Sequence, residues 1–271
     1  MQKRASVTCA TAAASLVAFA PGGVANAAVT TVQGGGLGGS EPSVWNVLNA
    51  LIPGANLNQA QINTAGPIGA VAGLSRVDDD FDRLFIDGQV PVSVLGLFFS
   101  NPDIGQPFAG DEHDLYFENE TAGGFATQVA DFTNVLGPIS VGPGETFSLT
   151  AVRDNLFFDG TQDVSKRAIA SSIPSENVAD GDTSQDRMVT FQIDISQIGT
   201  LNGLDGQTID LSQLSPVGGS GLAYVHFFDT GSDADYQDAV YLTLGARNVP
   251  TPGAAALLCL AGAAGVRRRR G

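Results

Sequence analysis

Two periods of hydrophobic positions divide the chain. Between Ser43 and Ile52 the apolar residues fall at 44, 47, 48, 51 and 52, the spacing of one helix face, and Pro53-Gly54 ends the run. From about residue 70 the period drops to two. Val92 and Val94, Leu115 and Phe117, Phe147 and Leu149, Val189 through Ile195, and Val240 through Leu244 alternate with polar neighbours over short stretches. Asp87-Gly88, Gly142-Pro143-Gly144, Asp159-Gly160 and Asp180-Gly181 punctuate them as turn signals. The clearest strand sets Val189, Phe191, Ile193 and Ile195 against a polar face of Thr190, Gln192 and Asp194. Short alternating strands between turns predict an all-β fold, an antiparallel β-sandwich or jelly-roll-like body. It carries a short N-terminal helix and a C-terminal hydrophobic helix.

Both ends read as addresses. Lys3 and Arg4 precede the small, apolar stretch from Ala10 to Ala20, and Ala25-Asn26-Ala27 is a small-x-small cleavage site. That is the pattern of a secretory signal peptide, with the mature chain starting at Ala28. At the other end Val249-Pro250-Thr251-Pro252-Gly253 opens a tail. Thirteen small or apolar residues, Ala254 to Val266, follow, and then Arg267, Arg268, Arg269 and Arg270. Thirteen helical residues span about 20 Å against a hydrocarbon core of about 30 Å, which is short for a permanent anchor. The arginines favour the cytoplasmic side. The expected organisation is therefore a signal peptide at 1–27 and a Gly-rich and short helical lead-in at 28–69. The β-sandwich body follows at 70–248, and the sorting tail at 249–271.

Composition sharpens this picture. The 271 residues carry 13 basic and 28 acidic side chains, a formal −15, which excludes a sequence-independent nucleic-acid binder. Six of the basic residues and none of the acidic ones lie in the two end segments, so 28–248 keeps seven basic side chains and a formal −21. Cys9 and Cys259 also fall in the end segments. The body has no disulfide to draw on in an oxidising compartment, so its stability rests on its core or on bound ions.

Candidate chemistry concentrates in 222–244, which reads as strand, acidic loop, strand. Asp229, Asp233, Asp235 and Asp238 fall within ten residues of one another. Gly231 and Ser232 would supply the turn, and Tyr236 would pack back onto the sheet. Two readings stand. Four carboxylates converging without Lys or Arg repel, and a calcium ion, which accepts six to eight oxygens in irregular geometry, relieves that. Alternatively the aspartates cap turns and keep an edge soluble. Val77-Asp78-Asp79-Asp80-Phe81-Asp82-Arg83-Leu84 reads as a solvated turn or, as the alternative, a metal site, and in Asp111-Glu112-His113-Asp114 the histidine reads as exposed in a polar loop or, as the alternative, a ligand. No Gly-x-Ser-x-Gly, His-Glu-x-x-His or phosphate-cradling loop is present, so the reading is a non-enzyme.

The tail resembles the PEP-CTERM sorting signal of Gram-negative bacteria, with Thr251 where that family usually has Glu. The resemblance implies cleavage near the proline motif by an exosortase-type membrane transpeptidase. It also implies a transient inner-membrane contact through the C-terminal helix, delivery to the cell surface or extracellular matrix, and association with exopolysaccharide. Residues 184–244 resemble the Phe-Glu-Asp…Gly-Asp-x-Asp-Tyr-Asn-Asp pattern of many secreted PEP-CTERM proteins and of the DUF4114 domain. Phe228, Gln237 and Arg187 stand where Glu, Asn and His are usual. The expectation is a secreted, exosortase-sorted structural or adhesive protein of the cell envelope or matrix, calcium-stabilised and exopolysaccharide-associated. One alternative is a calcium-dependent carbohydrate-binding module using Tyr224, Tyr241 or Trp45 as an aromatic platform. Another is a secreted hydrolase.

Overall fold

The computed structural model describes residues 29–33, 42–79, 85–87, 92–99, 112–120, 126–130, 146–158, 161–174, 177, 186–203, 208–214, 220–230, 236 and 238–249. The fold is mostly β, and every strand pair is antiparallel. In chain order the elements begin with α1 (Val44–Leu51), α2 (Gln59–Ile62), β1 (Gly66–Pro67), β2 (Leu74–Arg76), β3 (Phe85–Asp87) and β4 (Ser93–Phe99). Next come β5 (Glu112–Asn119), β6 (Ala126–Ala130), β7 (Thr146–Phe158), β8 (Thr161–Ser171) and β9 (Met188–Asp194). The chain continues through β10 (Thr200–Asn202), β11 (Thr208–Asp210), α3 (Leu211–Leu214), β12 (Leu222–Phe228), β13 (Ala239–Leu244) and β14 (Ala246–Asn248).

Sheet A runs β1-β2-β9-β12-β13-β4. Sheet B runs β14-β3-β7-β5-β6, with β8 pairing the far half of β7. A small β10-β11 ribbon completes the set. The two large sheets are continuous at one corner. β13 lies in sheet A and β14 in sheet B, separated only by Gly245, whose φ of 90° is open to glycine and strained for other residues. β3 and β4 cross between the same two sheets.

The central strands of sheet A are buried over most of both faces. Val189, Phe191 and Ile193 of β9, Val225 and Phe227 of β12, and Val240, Leu242 and Leu244 of β13 share one core with α1, α2 and α3. α1 contributes Val44, Val47, Leu48 and Leu51, the face its spacing predicted, and Asn49 brackets Leu57 with two hydrogen bonds of 2.7 and 3.0 Å. Fully burying each such side chain stabilises by about 1.5–3 kcal/mol before entropy is counted. On the opposite face Met188, Phe228 and Tyr241 join Phe85, Phe117, Phe147 and Leu149 of sheet B in a second core. Phe117 and Phe147 stack at 4.6 Å, and Phe85 meets the Tyr224 ring edge-on at 6.1 Å.

This arrangement corrects one expectation. Thr190, placed by its alternation on a solvent face, is fully buried, because sheet B covers that side of sheet A. Gln192 and Asp194, further along β9, stay partly exposed. The apolar stretch at 254–266, and with it the expected C-terminal helix, lies outside the described residues. Among the described residues no helix is long and apolar enough to cross a membrane.

Candidate functional site

One end of sheet A collects the ionisable groups. β2 ends at Arg76 and leads to Asp79. Asp186 and Arg187 precede β9, Asp229 follows β12, and Asp238 precedes β13. Antiparallel pairing makes this convergence unavoidable, since the exit of β12 lies beside the entries of β9 and β13. The pairing extends past the strands. Asp229 N–H donates to the Arg187 carbonyl at 3.0 Å, Asp238 N–H to the Phe228 carbonyl at 3.1 Å, and Val77 N–H to the Thr190 carbonyl at 2.9 Å. Gly73 sets the entry to β2 with a φ of 84°, and a Cβ there would sit 2.8 Å from Gln197 Cβ.

Two arginines occupy the interior of this end. Arg187 Nη1 lies 3.5 Å from Asp229 Oδ2, and both side chains are 1% exposed. Arg76 Nη2 donates to Asp79 Oδ1 at 2.9 Å, with an Arg76 side chain that is fully buried. Arg76 also lies over the Phe191 ring, 5.4 Å from its centroid, which adds a cation–π attraction. Its Nε and Nη1 meet no acceptor, so the guanidinium holds one carboxylate oxygen rather than two. The other oxygen of Asp79 accepts from Thr30 N–H. Burial pushes the Asp79 carboxyl above its ordinary range, and Arg76 and Thr30 only partly pull it back. Tyr236 closes the end from the β12–β13 connection. Its φ is 60°, its ring joins the helix-side core, and its hydroxyl donates to the Asp186 carbonyl at 2.6 Å. Burial, and then the charges of Asp186, Asp229 and Asp79, push that phenol up.

The expected calcium set fares unevenly. Asp229 and Asp238 are both buried. Asp238 Oδ2 accepts from Thr230 N–H at 2.7 Å and from Thr230 O–H at 3.1 Å, a local turn bond. The premise that these carboxylates converge without a basic residue is incorrect for Asp229, because Arg187 comes to it from 42 residues away. A guanidinium at that distance competes with a second cation for Asp229 Oδ2. Asp233 and Asp235 lie outside the described residues, as do Gly231, Ser232 and Asp111. Among the described residues no group of three or more His, Cys, Asp or Glu side chains could hold a metal ion. Tyr236 packs into the core, as expected. Asp79, expected in a solvated turn, is instead 4% exposed. Tyr224 and Tyr241 are buried at 2% and 0% exposure, which removes them as a carbohydrate platform, and Trp45 packs against the helix-side core.

His226 went unnoticed in the sequence. It sits at the centre of β12, fully buried, with Nδ1 3.1 Å from Thr190 Oγ1 and Nε2 2.8 Å from Thr243 Oγ1. Phe85 stands edge-on to its ring at 5.2 Å. Burial drives its pKa down to about 3, so the imidazole is neutral. One ring nitrogen donates to a threonine and the other accepts from the second.

Set against protein-family models, curated proteins and solved structures, the chain shows no match.

Proposed function

We propose that the protein is an exported, exosortase-sorted structural or adhesive component of the cell envelope or extracellular matrix, with a β-sandwich of the jelly-roll kind as its body. The observation that carries the reading is how the tail meets the fold. Asn248 ends β14, which is paired to β3, and Val249-Pro250-Thr251-Pro252 begins at the next residue. A cut in that motif removes the apolar stretch and the arginines without touching a strand of the body. The location at the cell exterior, the transient inner-membrane contact and the exopolysaccharide association follow from the same resemblance. A non-catalytic role is supported by the use of the described charges. Arg187 with Asp229, and His226 with Thr190 and Thr243, are spent on bonds between neighbouring strands, and Arg76 is spent on a local pair with Asp79.

Deleting Arg267 to Arg270 tests this. The truncated chain is expected to lose retention and processing at the inner membrane of a host with the matching transpeptidase, read as the C-terminal mass of recovered protein. Processing equal to that of the full chain would count against the sorting role.

The calcium part of the proposal rests on Asp229, Asp233, Asp235 and Asp238, of which Asp229 also faces Arg187 and Asp238 also accepts from Thr230. Calcium is expected to raise the melting temperature of the wild-type protein. Asp233→Asn with Asp235→Asn should abolish the rise, whereas an equal rise in the double variant would clear the loop of that role.

A further inference from the structure

We propose that Asn202 is a self-modification site, where the chain converts its own side-chain amide to a carboxylate and so loosens α1 from the β10–β11 ribbon. Asn202-Gly203 is the one Asn-Gly dipeptide in the chain. Ring closure at an asparagine uses the backbone nitrogen of the following residue as the attacking atom, and glycine has no Cβ to obstruct it. Other asparagines are worse placed. Asn46 precedes Val47, whose N–H is held by the Ser43 carbonyl at 3.0 Å. The Asn49 amide is clamped by Leu57 through both its oxygen and its nitrogen, and the Asn63 amide by Val32 in the same way.

The ribbon leaves Asn202 accessible. Along β10, Leu201 is fully buried in the helix-side core, and Thr200 and Asn202 are exposed. Asn202 is the last residue of β10, and its pairing with Thr208 closes the ribbon at the loop end. Gly203 lies beyond the ladder, so ring closure moves the end of the ribbon and leaves Leu201 seated.

The chemistry needs only water and hydroxide. The Gly203 nitrogen gives its proton to hydroxide, forming water, and its electron pair attacks Asn202 Cγ. The Cγ–Nδ2 bond breaks, and the nitrogen takes a proton from water and leaves as ammonia, closing a cyclic succinimide. A second water opens the ring. Its oxygen adding to Cγ breaks the Cγ–N bond and gives an aspartyl residue. Adding instead to the main-chain carbonyl carbon of residue 202, it breaks that carbon's bond to nitrogen and gives an isoaspartyl residue. In total one water enters and one ammonia leaves, and nothing is oxidised or reduced.

The amide that is lost joins two elements. Asn202 Nδ2 donates to the Ala50 carbonyl at 3.1 Å, across 152 residues. Ala50 stands in the last turn of α1, where carbonyls have no partner within the helix. The ribbon thus supplies a bond that the helix cannot make for itself. An ionised carboxylate at position 202 has no proton to offer that carbonyl, and it sets negative charge against the negative end of the helix dipole. The isoaspartyl form also lengthens the backbone by one atom between Leu201 and Gly203, which spoils the pairing with Thr208.

The test incubates the folded wild-type protein in mildly alkaline buffer and follows it by peptide mapping, with fragmentation to place each change. Asp205-Gly206 can isomerise nearby, but without a change of mass, so the exchange of NH2 for OH reports Asn202. Position 202 is expected to convert before any other asparagine, at a rate proportional to hydroxide, to a mixture containing the isoaspartyl form. Gly203→Ala should slow conversion several-fold. The converted protein should melt at a lower temperature than the fresh protein and show faster amide exchange over residues 44–51. Another asparagine converting first would overturn the site, as would an intact position 202 under conditions that convert a synthetic peptide of residues 200–208. Conversion with unchanged melting and unchanged exchange in α1 would overturn the loosening of the helix. The wild-type time course decides the site even where Gly203→Ala fails to fold.

Discussion

Arg187→Met is expected to destabilise the fold by about 3–5 kcal/mol, the cost of leaving a carboxylate buried after its cation is removed. Asp229 is 1% exposed and sits where the β12 exit meets the β9 entry, so water cannot take over the role of the guanidinium without opening the sheet end. Against a total stability of about 5–15 kcal/mol, a loss of that size is a third or more of what a domain has. Asp229→Leu alone should also destabilise, because it strands the arginine. The double variant Arg187→Met with Asp229→Leu should lose less than the two single variants added together, since two apolar side chains can fill the space that two charges held. Urea midpoints of the four proteins measure this coupling. Strict additivity would mean that the two side chains do not interact and that the 3.5 Å approach is incidental. Arg76→Met offers an internal contrast. Burial already raises the Asp79 carboxyl and the arginine is chiefly what lowers it, so losing the arginine eases protonation and the cost of that variant should shrink as the pH falls.

How far the sequence foretold this structure depends on which face of a strand is considered. The helix-side core was legible. Val44, Val47, Leu48 and Leu51 at helical spacing, and Val189, Phe191, Ile193, Val240, Leu242 and Leu244 at strand spacing, all fall in it. Asp159-Gly160 marked a turn, and β7 and β8 pair Phe158 with Thr161 around it. The other face of sheet A was not legible. Alternation reports one buried face and is silent about whether the second is wet or covered. Thr190, His226 and Thr243 look like solvent residues by type, yet they bond one another beneath sheet B. The stretch Tyr224-Val225-His226-Phe227-Phe228 did hold a signal, because a strand that is apolar at successive positions is one buried on both sides.

The acidic end shows a different limit. The loop aspartates were visible as a cluster, but their partners were not. Arg187 reaches Asp229 across 42 residues, and Arg76 reaches Asp79 through a bend after β2 that no motif encodes. A body with seven basic side chains, of which Arg76 and Arg187 are fully buried among the described residues, offers one general clue. In so acidic a chain, an arginine beside the start or end of an apolar strand marks a place where charge is held inside.

Stability is expected to fall as the pH drops from 6.5 toward 3, with His226 as a principal cause. In the folded protein its pKa is about 3, depressed from 6.5. The unfolded chain therefore binds a proton that the fold refuses, and acid favours unfolding. The contribution is complete above pH 6.5 and is lost at about 1.4 kcal/mol per pH unit below it, or roughly 2–3 kcal/mol by pH 4.5. The hydrogen bonds do not forbid protonation, because both threonine hydroxyls can accept from an imidazolium. Desolvation does, since Phe85 and the two sheets exclude water from the ring. Other groups act at different pH or with the opposite sign. Asp194 and Asp210 are held low by their bonds to Ser196 and Ser212, so the stability they contribute is present above 3.8 and is lost only as the pH falls below it. Asp79 is raised, so its contribution is lost as the pH rises and regained in acid. Asp79 acts with the opposite sign as the pH falls, so the histidine is isolated by comparing the wild type with a variant that lacks the imidazole. His226→Gln keeps an amide that can donate and accept but removes the basic nitrogen. Urea midpoints measured at pH 7, 5.5 and 4.5 should decline for the wild type and decline less for the variant, even if the variant starts lower from imperfect packing. Parallel curves for the two proteins would mean that the imidazole takes its proton without unfolding, which would require a wetter space between the sheets than the contacts of Thr190, Thr243 and Phe85 allow.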